Sequence, residues 1–441
     1  MHNSSPAGTA TPTAAAERMT PGSRKALFAA VTGTVIEWYD YALYGAAAGV
    51  VIGPLFFHGT EAGTTIAAFA TFAVGFVARP LGGLLVGYLG DRYGRRLAML
   101  LTMLMMAVAT VGIGLLPTAQ SIGVLAPVLL VALRLLQGMG AGAELAGAMT
   151  IVAEFAPSSK RGLLTSFVLA TPPLGISLAT LAFLGVSALG DQALMSWAWR
   201  VPFLASAVLF ILAIWVRRQL EETPEYLLAQ QRVQGRGERD RVPVSTLLTN
   251  HARGLFSGFL AMTGHNAVNY ALAVFAISLM ASEAVGLTRS AALTAVTLGS
   301  LVGVITTPVG GFFSDRLGSG RTVALGSAAG VVTAYPILLM LTSGNAFIGG
   351  LGVALGYALV ITFTAGGQGA YLASLFPPRE RMSGIALARE CNGALVAGFT
   401  PLMLTWLLEI GGGIILPAVY LAMCCALSIL AVVISPTSQR Y

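Results

Sequence analysis

The sequence predicts an all-α integral membrane protein: twelve transmembrane helices in two six-helix halves that repeat each other in parallel. Three observations predict it. Hydrophobic residues make up 56% of the 441 residues and charged residues only 10%, whereas a soluble domain carries about 25% charged residues. The apolar residues fall into twelve runs, each near or above the roughly 20 residues that span a bilayer as a helix. Finally, Gly87-Tyr-Leu-Gly-Asp91-Arg92-Tyr-Gly94-Arg95-Arg96 returns 224 residues later as Gly311-Phe-Phe-Ser-Asp315-Arg316-Leu-Gly318-Ser-Gly-Arg321. A repeat at half the chain length marks two copies of one unit.

The runs, in order, are 26–56, 64–88, 97–116, 122–150, 163–189, 198–216, 255–281, 289–313, 322–342, 346–374, 383–408 and 414–434. The short links between them carry Gly, Pro and Ser, as turns do. Residues 1–25 are rich in Ala, Thr, Pro and Ser and have no apolar centre, so they read as a disordered tail and not as a cleaved signal peptide. Residues 26–216 form the first six-helix bundle. The one long polar stretch, 217–253, is a central loop that leads to a second bundle at 254–435 and a short tail at 436–441. A second repeated pair agrees with the first: Glu154-Phe-Ala-Pro157-Ser-Ser-Lys160-Arg161-Gly162 after run four, and Leu375-Phe-Pro-Pro378-Arg-Glu-Arg381-Met-Ser-Gly384 after run ten. An even number of runs separates the copies, so they are parallel repeats, and such halves hold a substrate site between them near the midplane.

Cytoplasmic loops collect Lys and Arg. With the N-terminus inside, 20 of the 25 Lys and Arg residues fall on the inner side, and only Arg200 and Arg289 lie at the outer one. Both termini and the central loop are therefore expected to be cytoplasmic. The net charge of +7 does not point to nucleic acid, because the cations sit in short loops and form no continuous basic face. Cys391, Cys424 and Cys425 all lie in apolar runs and suit core packing, with no metal spacing and no disulfide framework. No Walker sequence is present to suggest ATP drive, and the scattered histidines make no metal cluster. No cofactor is expected. The expected partners are a small-molecule substrate, protons and the lipid bilayer, and the protein is expected to be a monomer and not an enzyme.

Charges inside membrane helices cost about 2.5–3.5 kcal/mol each on insertion scales, so they are functional candidates. The first run holds Glu37 and Asp40, the second Arg79, the fourth Arg134 and Glu144, and the eleventh Arg389 and Glu390. Glu37, Asp40 and Tyr44 share one helical face, as do Arg134, Gln137, Ala141 and Glu144. Two such stripes imply a shared aqueous cavity, to which Tyr41 is added. A carboxylate beside a cation holds its proton according to whether that cation is engaged elsewhere. If an anionic substrate takes Arg134, the acid accepts a proton more readily, which is a physical route to symport. Asp40, Glu37 and Glu144 are all candidates for that acid. The seventh run adds a polar patch of His265, Asn266, Asn269 and Tyr270, and the tenth adds Gln368. Arg389-Glu390 reads either as an intrahelical or interhelical ion pair or, through Arg389, as a forked receptor for a substrate carboxylate.

The doubled G-x-x-x-D-R-x-G loop makes the whole chain resemble a major facilitator superfamily transporter, from residue 25 to residue 435. Several stretches are similar to the metabolite:proton symporters, the group of proline/betaine, 2-oxoglutarate, shikimate and citrate permeases. They are Glu37-Trp-Tyr-Asp40-Tyr41, Arg79-Pro80-Leu-Gly-Gly, Arg134-Leu-Leu-Gln137-Gly138 with Gly142-Ala-Glu144, Trp199-Arg200-Val-Pro202-Phe, and Glu222-Thr-Pro224-Glu-Tyr. The resemblance implies the major facilitator fold and alternating access. It places the Arg of the fourth helix in proton coupling, the acid of the first in the cavity, and the seventh helix on the cavity wall. It also implies that the doubled loop is a latch closing the cytoplasmic side, built from Gly87, Asp91, Arg92, Gly94, Arg95, Glu154, Arg161, Asp315 and Arg316. Arg389-Glu390 departs from the relatives, which mostly carry uncharged residues there. The fifth helix reads Thr171-Pro-Pro-Leu-Gly175 and not the G-P-x-x-G-G of exporters with this fold. The expected function is import of a small organic anion, a mono-, di- or tricarboxylate, by proton symport. A proton symporter of a zwitterion such as betaine or proline is the alternative, and a transporter-like sensor is another.

Overall fold

The computed structural model describes residues 21–93, 95–142, 144–218, 248–377 and 380–435, with 86–99 described by backbone alone. The expected tails at 1–25 and 436–441 and the central loop at 217–253 lie wholly or mostly outside these residues. Among the described residues there is no strand, and the helices group into twelve rods. They are α1 (21–56), α2 (Glu61–Tyr93), α3 (Arg95–Leu115), α4 (Leu125–Ala141 and Glu144–Phe155), α5 (Arg161–Ser187) and α6 (191–218) in the first half. The second half holds α7 (Ala252–Ala281), α8 (Arg289–Leu317), α9 (Ser319–Leu341), α10 (Ala346–Ser374), α11 (Arg381–Gly411) and α12 (Ile415–Ile434). Eight rods are long and apolar enough to cross a bilayer unaided, and α6 makes a ninth if its 51° bend is taken within one span. The apolar parts of α3 and α4 are shorter, and α1 carries two acids. The outward positions are apolar, as lipid demands: Val208, Ile211, Ile305, Val332 and Val433 are all exposed. Polar side chains turn inward. With an even number of rods, residues 21 and 435 lie on the same face, called here the termini face.

Backbone contact holds α2 to α4 and α8 to α10, and glycine makes it possible. A Cβ on Gly142 would sit 2.3 Å from the carbonyl oxygen of Arg79, and one on Gly366 would sit 2.3 Å from the carbonyl carbon of Gly310. These glycines are 224 residues apart, the spacing of the doubled loop. Helix irregularities repeat as well. A π-turn interrupts α1 at Ala48–Ile52 and α7 at Ala271–Phe275. In α5 the regular helix breaks at Ala170, ahead of Thr171-Pro172-Pro173, and α11 has a π-turn at Gly393–Ala397 in the matching place. Proline removes a backbone donor, and π-turns concentrate at functional sites.

The halves meet along several seams. Gly45 and Gly49 of α1 pack on Val274 and Ile277 of α7, and Phe76 of α2 packs on Gly398 of α11. Ser177 and Thr180 of α5 hydrogen-bond Ser300 and Thr297 of α8, each at 2.7 Å. Nearer the termini face, Asp315 of α8 accepts from the backbone of α5. The fourth rod is interrupted between Ala141 and Glu144, so Arg134, Gln137 and Ala141 lie on its first segment, while the side chain of Glu144 lies outside the described residues. Hydropathy does not register this break, because Gly142 and Ala143 are as compatible with a helix as with its end.

Candidate functional site

Two buried polar layers cross the middle of the molecule. The layer farther from the termini face belongs to the first half. Gln137 of α4 is its hub. Its Nε2 donates to Asp40 Oδ2 and to Thr110 Oγ1, both at 2.9 Å, while its Oε1 accepts from Arg134 Nη1. Arg134 also donates to the Phe72 carbonyl at 3.0 Å, and its guanidinium lies 4.0 Å from the Tyr44 ring centroid. Asp40, Arg134 and Gln137 are at most 1% exposed. Asp40 and Arg134 therefore communicate through an amide and form no direct ion pair. The second carboxylate oxygen of Asp40, Oδ1, has no hydrogen-bond partner. Gly75 makes room for the guanidinium, since a Cβ there would lie 2.5 Å from Arg134 Nη2.

The layer nearer the termini face joins the halves. Arg79 of α2 pairs with Glu37 of α1 at 3.3 Å and with Glu390 of α11 at 3.0 Å, and donates to the Ala141 carbonyl at 3.1 Å. Its guanidinium also lies 5.0 Å from the Tyr41 ring centroid. The neighbouring Arg389 turns elsewhere. Its Nη1 reaches Gln368 Oε1 at 3.3 Å and Met149 Sδ of the first half at 3.8 Å, and its Nε has no partner. Of the readings open for Arg389-Glu390, the ion pair is interhelical and uses Glu390 alone, which pairs with Arg79 and not with its neighbour. Consecutive helix residues point about 100° apart, so one side chain faces α2 while the other faces α4 and α10. Among the described mid-membrane side chains, three acids face three arginines: Glu37, Asp40 and Glu390 against Arg79, Arg134 and Arg389.

The wall contributed by α7 is more occupied than its sequence suggests. His265 Nδ1 lies 2.9 Å from Thr364 Oγ1, and Asn269 Oδ1 accepts from the Tyr357 hydroxyl at 3.4 Å. Asn266 donates to Asn392 at 2.6 Å, and Asn392 in turn donates to the Phe259 carbonyl and to Thr263. His265 and Asn269 therefore tie α7 to α10. Tyr270 instead crosses the seam, with its ring edge-on to Phe76 at 5.2 Å and 5.9 Å from Phe72. Tyr41 completes this aromatic cluster against Phe76 at 4.7 Å. Thr110, Asn392, Met149 and Gly75 were not anticipated. Asn392 alone had a signal, as the third polar side chain within Arg389-Glu390-Cys391-Asn392.

The model of the family described as "Sugar (and other) transporter" matches residues 25–240 and 236–439. The chain belongs to the major facilitator superfamily. This transporter is 33% identical to the inner membrane metabolite transport protein YhjE of Escherichia coli, over 94% of each chain. It is 33% identical to the shikimate transporter of E. coli, over 95% of each chain. It is 34% identical to the E. coli proline/betaine transporter, over 90% of this chain and 80% of that one. Its fold matches the E. coli xylose transporter XylE in a partially occluded inward-open conformation, with a TM-score of 0.71 at 16% identity, over 94% of this chain and 97% of that one.

The latch implied by the superfamily can be followed in part. Asp315 of α8 accepts from Gly162 N at 2.6 Å and from Leu163 N at 2.9 Å, so a second-half carboxylate caps the start of α5. A free helix N-terminus carries unpaired N–H groups and a partial positive charge, which suit an anion. Gly162 permits the approach, because a Cβ there would lie 2.7 Å from Asp315 Oδ1. Arg161 Nε donates to the Ala153 carbonyl at 3.0 Å, and Arg381 Nε donates to the Ala373 carbonyl at 2.9 Å. The second repeated loop thus builds the same corner in both halves. Arg316 instead covers the Phe312 ring of its own helix at 4.1 Å. The side chains of Asp91, Arg92, Arg95, Glu144 and Glu154, with Gly87 and Gly94, lie outside the described residues.

Proposed function

We propose that this transporter imports a small carboxylate together with a proton, by rocking its two halves about the central layers. The observation that carries this is the Asp40–Gln137–Arg134 bridge. A buried carboxylate with one oxygen unpartnered and no cation in contact is costly when ionised and much less so when protonated. The closed arrangement therefore favours a proton on Asp40, while an opening that admits water lets it leave. Arg134 and Gln137 hold the acid in place, and closure of the halves becomes conditional on the proton.

The carboxylate goes to Arg389. This guanidinium stands between the halves, reaches an amide oxygen and a thioether among the described residues, and has an unpartnered Nε. Arg134 likewise has an unpartnered Nε, but its two Nη groups are held by Gln137 and the Phe72 carbonyl within the first half. A quaternary ammonium such as a betaine's is recognised by an aromatic face, and the Tyr41, Tyr44, Phe72 and Phe76 rings already lie against Arg79 and Arg134. That occupancy supports an anion over a zwitterion. The Lys/Arg asymmetry and the inner-membrane relative support a bacterial inner-membrane location with the termini face cytoplasmic.

The test is accumulation in proteoliposomes under an imposed pH gradient, with carboxylates, aromatic acids and betaines as candidates. Ligands that bind also raise apparent thermal stability. Uptake of a carboxylate that collapses with the gradient supports the reading. Binding without accumulation identifies a sensor, and accumulation of betaines alone rejects the anion.

A further inference from the structure

Arg79 stands between two acids from different halves. Its pair with Glu37 stays within the first half, and its pair with Glu390 crosses the seam. All three side chains are buried, so neither attraction is diluted by water, and a stranded member is expensive. The two acids compete for one cation, and the competition has a direction. When the halves part at this level, Arg79 keeps Glu37, and Glu390 moves away into the opening. Arg389 does not replace Arg79, because it faces Gln368 and Met149.

We propose that Glu390 is a positioning residue of the transport cycle. Through Arg79 it bolts the second half to the first in mid-membrane, and Glu37 weakens the bolt by holding the same cation on the first half. An isolated Arg79–Glu390 pair would strand both charges on opening. With Glu37 present, only Glu390 is left to be hydrated, so the halves are joined firmly yet reversibly. The bolt acts whatever the substrate and whichever acid carries the proton.

A cysteine reporter tests this without substrate or gradient. Met149 is 1% exposed and touches Arg389 across the seam. It becomes the reporter as Met149→Cys in a full-length chain carrying Cys391→Ser, Cys424→Ser and Cys425→Ser. Labelling by a water-soluble maleimide is timed in proteoliposomes. Glu390→Gln removes the crossing pair and is expected to raise the labelling rate about tenfold. Glu37→Gln is expected to lower it, because opening then leaves Arg79 without a carboxylate. Glu390→Asp keeps the charge and should label near the parent rate. No change in Glu390→Gln, or a rise in Glu37→Gln comparable to that in Glu390→Gln, overturns the proposal. Should Glu390→Gln fail to fold, Arg79→Gln takes its place with the same expected rise, and unchanged labelling again overturns it.

Discussion

At the scale of single residues, the chemistry rests on what each charge touches. Asp40→Asn imitates the protonated acid: its carbonyl still accepts from Gln137, and its amide fills the place of the unpartnered oxygen. Accumulation driven by a pH gradient should be lost while substrate exchange across the membrane persists. Equal loss of both would remove Asp40 from coupling. Arg389→Lys keeps the charge and loses the planar fork. The Km for the transported carboxylate should rise about tenfold or more, as expected for a lost charged hydrogen bond, with little change in maximal rate. An unchanged Km would return Arg389 to a packing role. The sequence announced every one of these charges, because a charge in an apolar run is conspicuous. It did not announce their partners. Glu390 could be matched with Arg389 or with Arg79, and only the rotation of α11 against α2 decides between them. Gln137 was visible as a polar neighbour of Arg134, but its place between Arg134 and Asp40 depends on how α1 and α4 meet.

At the scale of elements, the α5–α8 seam shows how a helix end becomes a joint. Asp315 caps α5 from the opposite half, so the capping energy is available only while the halves touch. Asp315→Ala should loosen the termini face. A cap of this kind contributes about 1 kcal/mol, so a cysteine reporter at Ser166, beside Gly311, should label several-fold faster. Gly162→Val acts by bulk on the same joint and should give the larger effect, since its Cβ would occupy the site of the carboxylate. Equal labelling in all three proteins would exclude the joint as a gate. The doubled loop was legible as a motif, and its aspartate as a latch. Its receiver was not, because backbone N–H groups leave no mark in a sequence. The same blindness hid the break in α4 and the π-turns of α1 and α7. These depend on how rods cross, whereas the positions of the rods themselves follow from hydropathy.

At the scale of the whole molecule, duplication was the most legible feature. Two repeated loops and twelve apolar runs led to two parallel halves, and the repeated Arg161 and Arg381 corners and the paired Gly142 and Gly366 contacts follow from that. One consequence concerns membrane voltage. With all three acids ionised, the described mid-membrane acids and arginines balance three against three, and a proton on Asp40 is offset by the charge of a bound monocarboxylate. If a monocarboxylate and one proton enter it together, the moving core stays neutral, and each cycle transfers no charge. A zwitterion with one proton would transfer one, worth about 2.3 kcal/mol per 100 mV. Uptake of a monocarboxylate should therefore be unchanged when a potassium diffusion potential is imposed on proteoliposomes, and should follow the pH difference alone. Acceleration by an inside-negative potential would show that charge crosses with the substrate, and would count against one-for-one symport of carboxylate and proton. The charge of the cargo, one carboxylate balanced by one proton, thus determines which part of the proton-motive force this transporter can use.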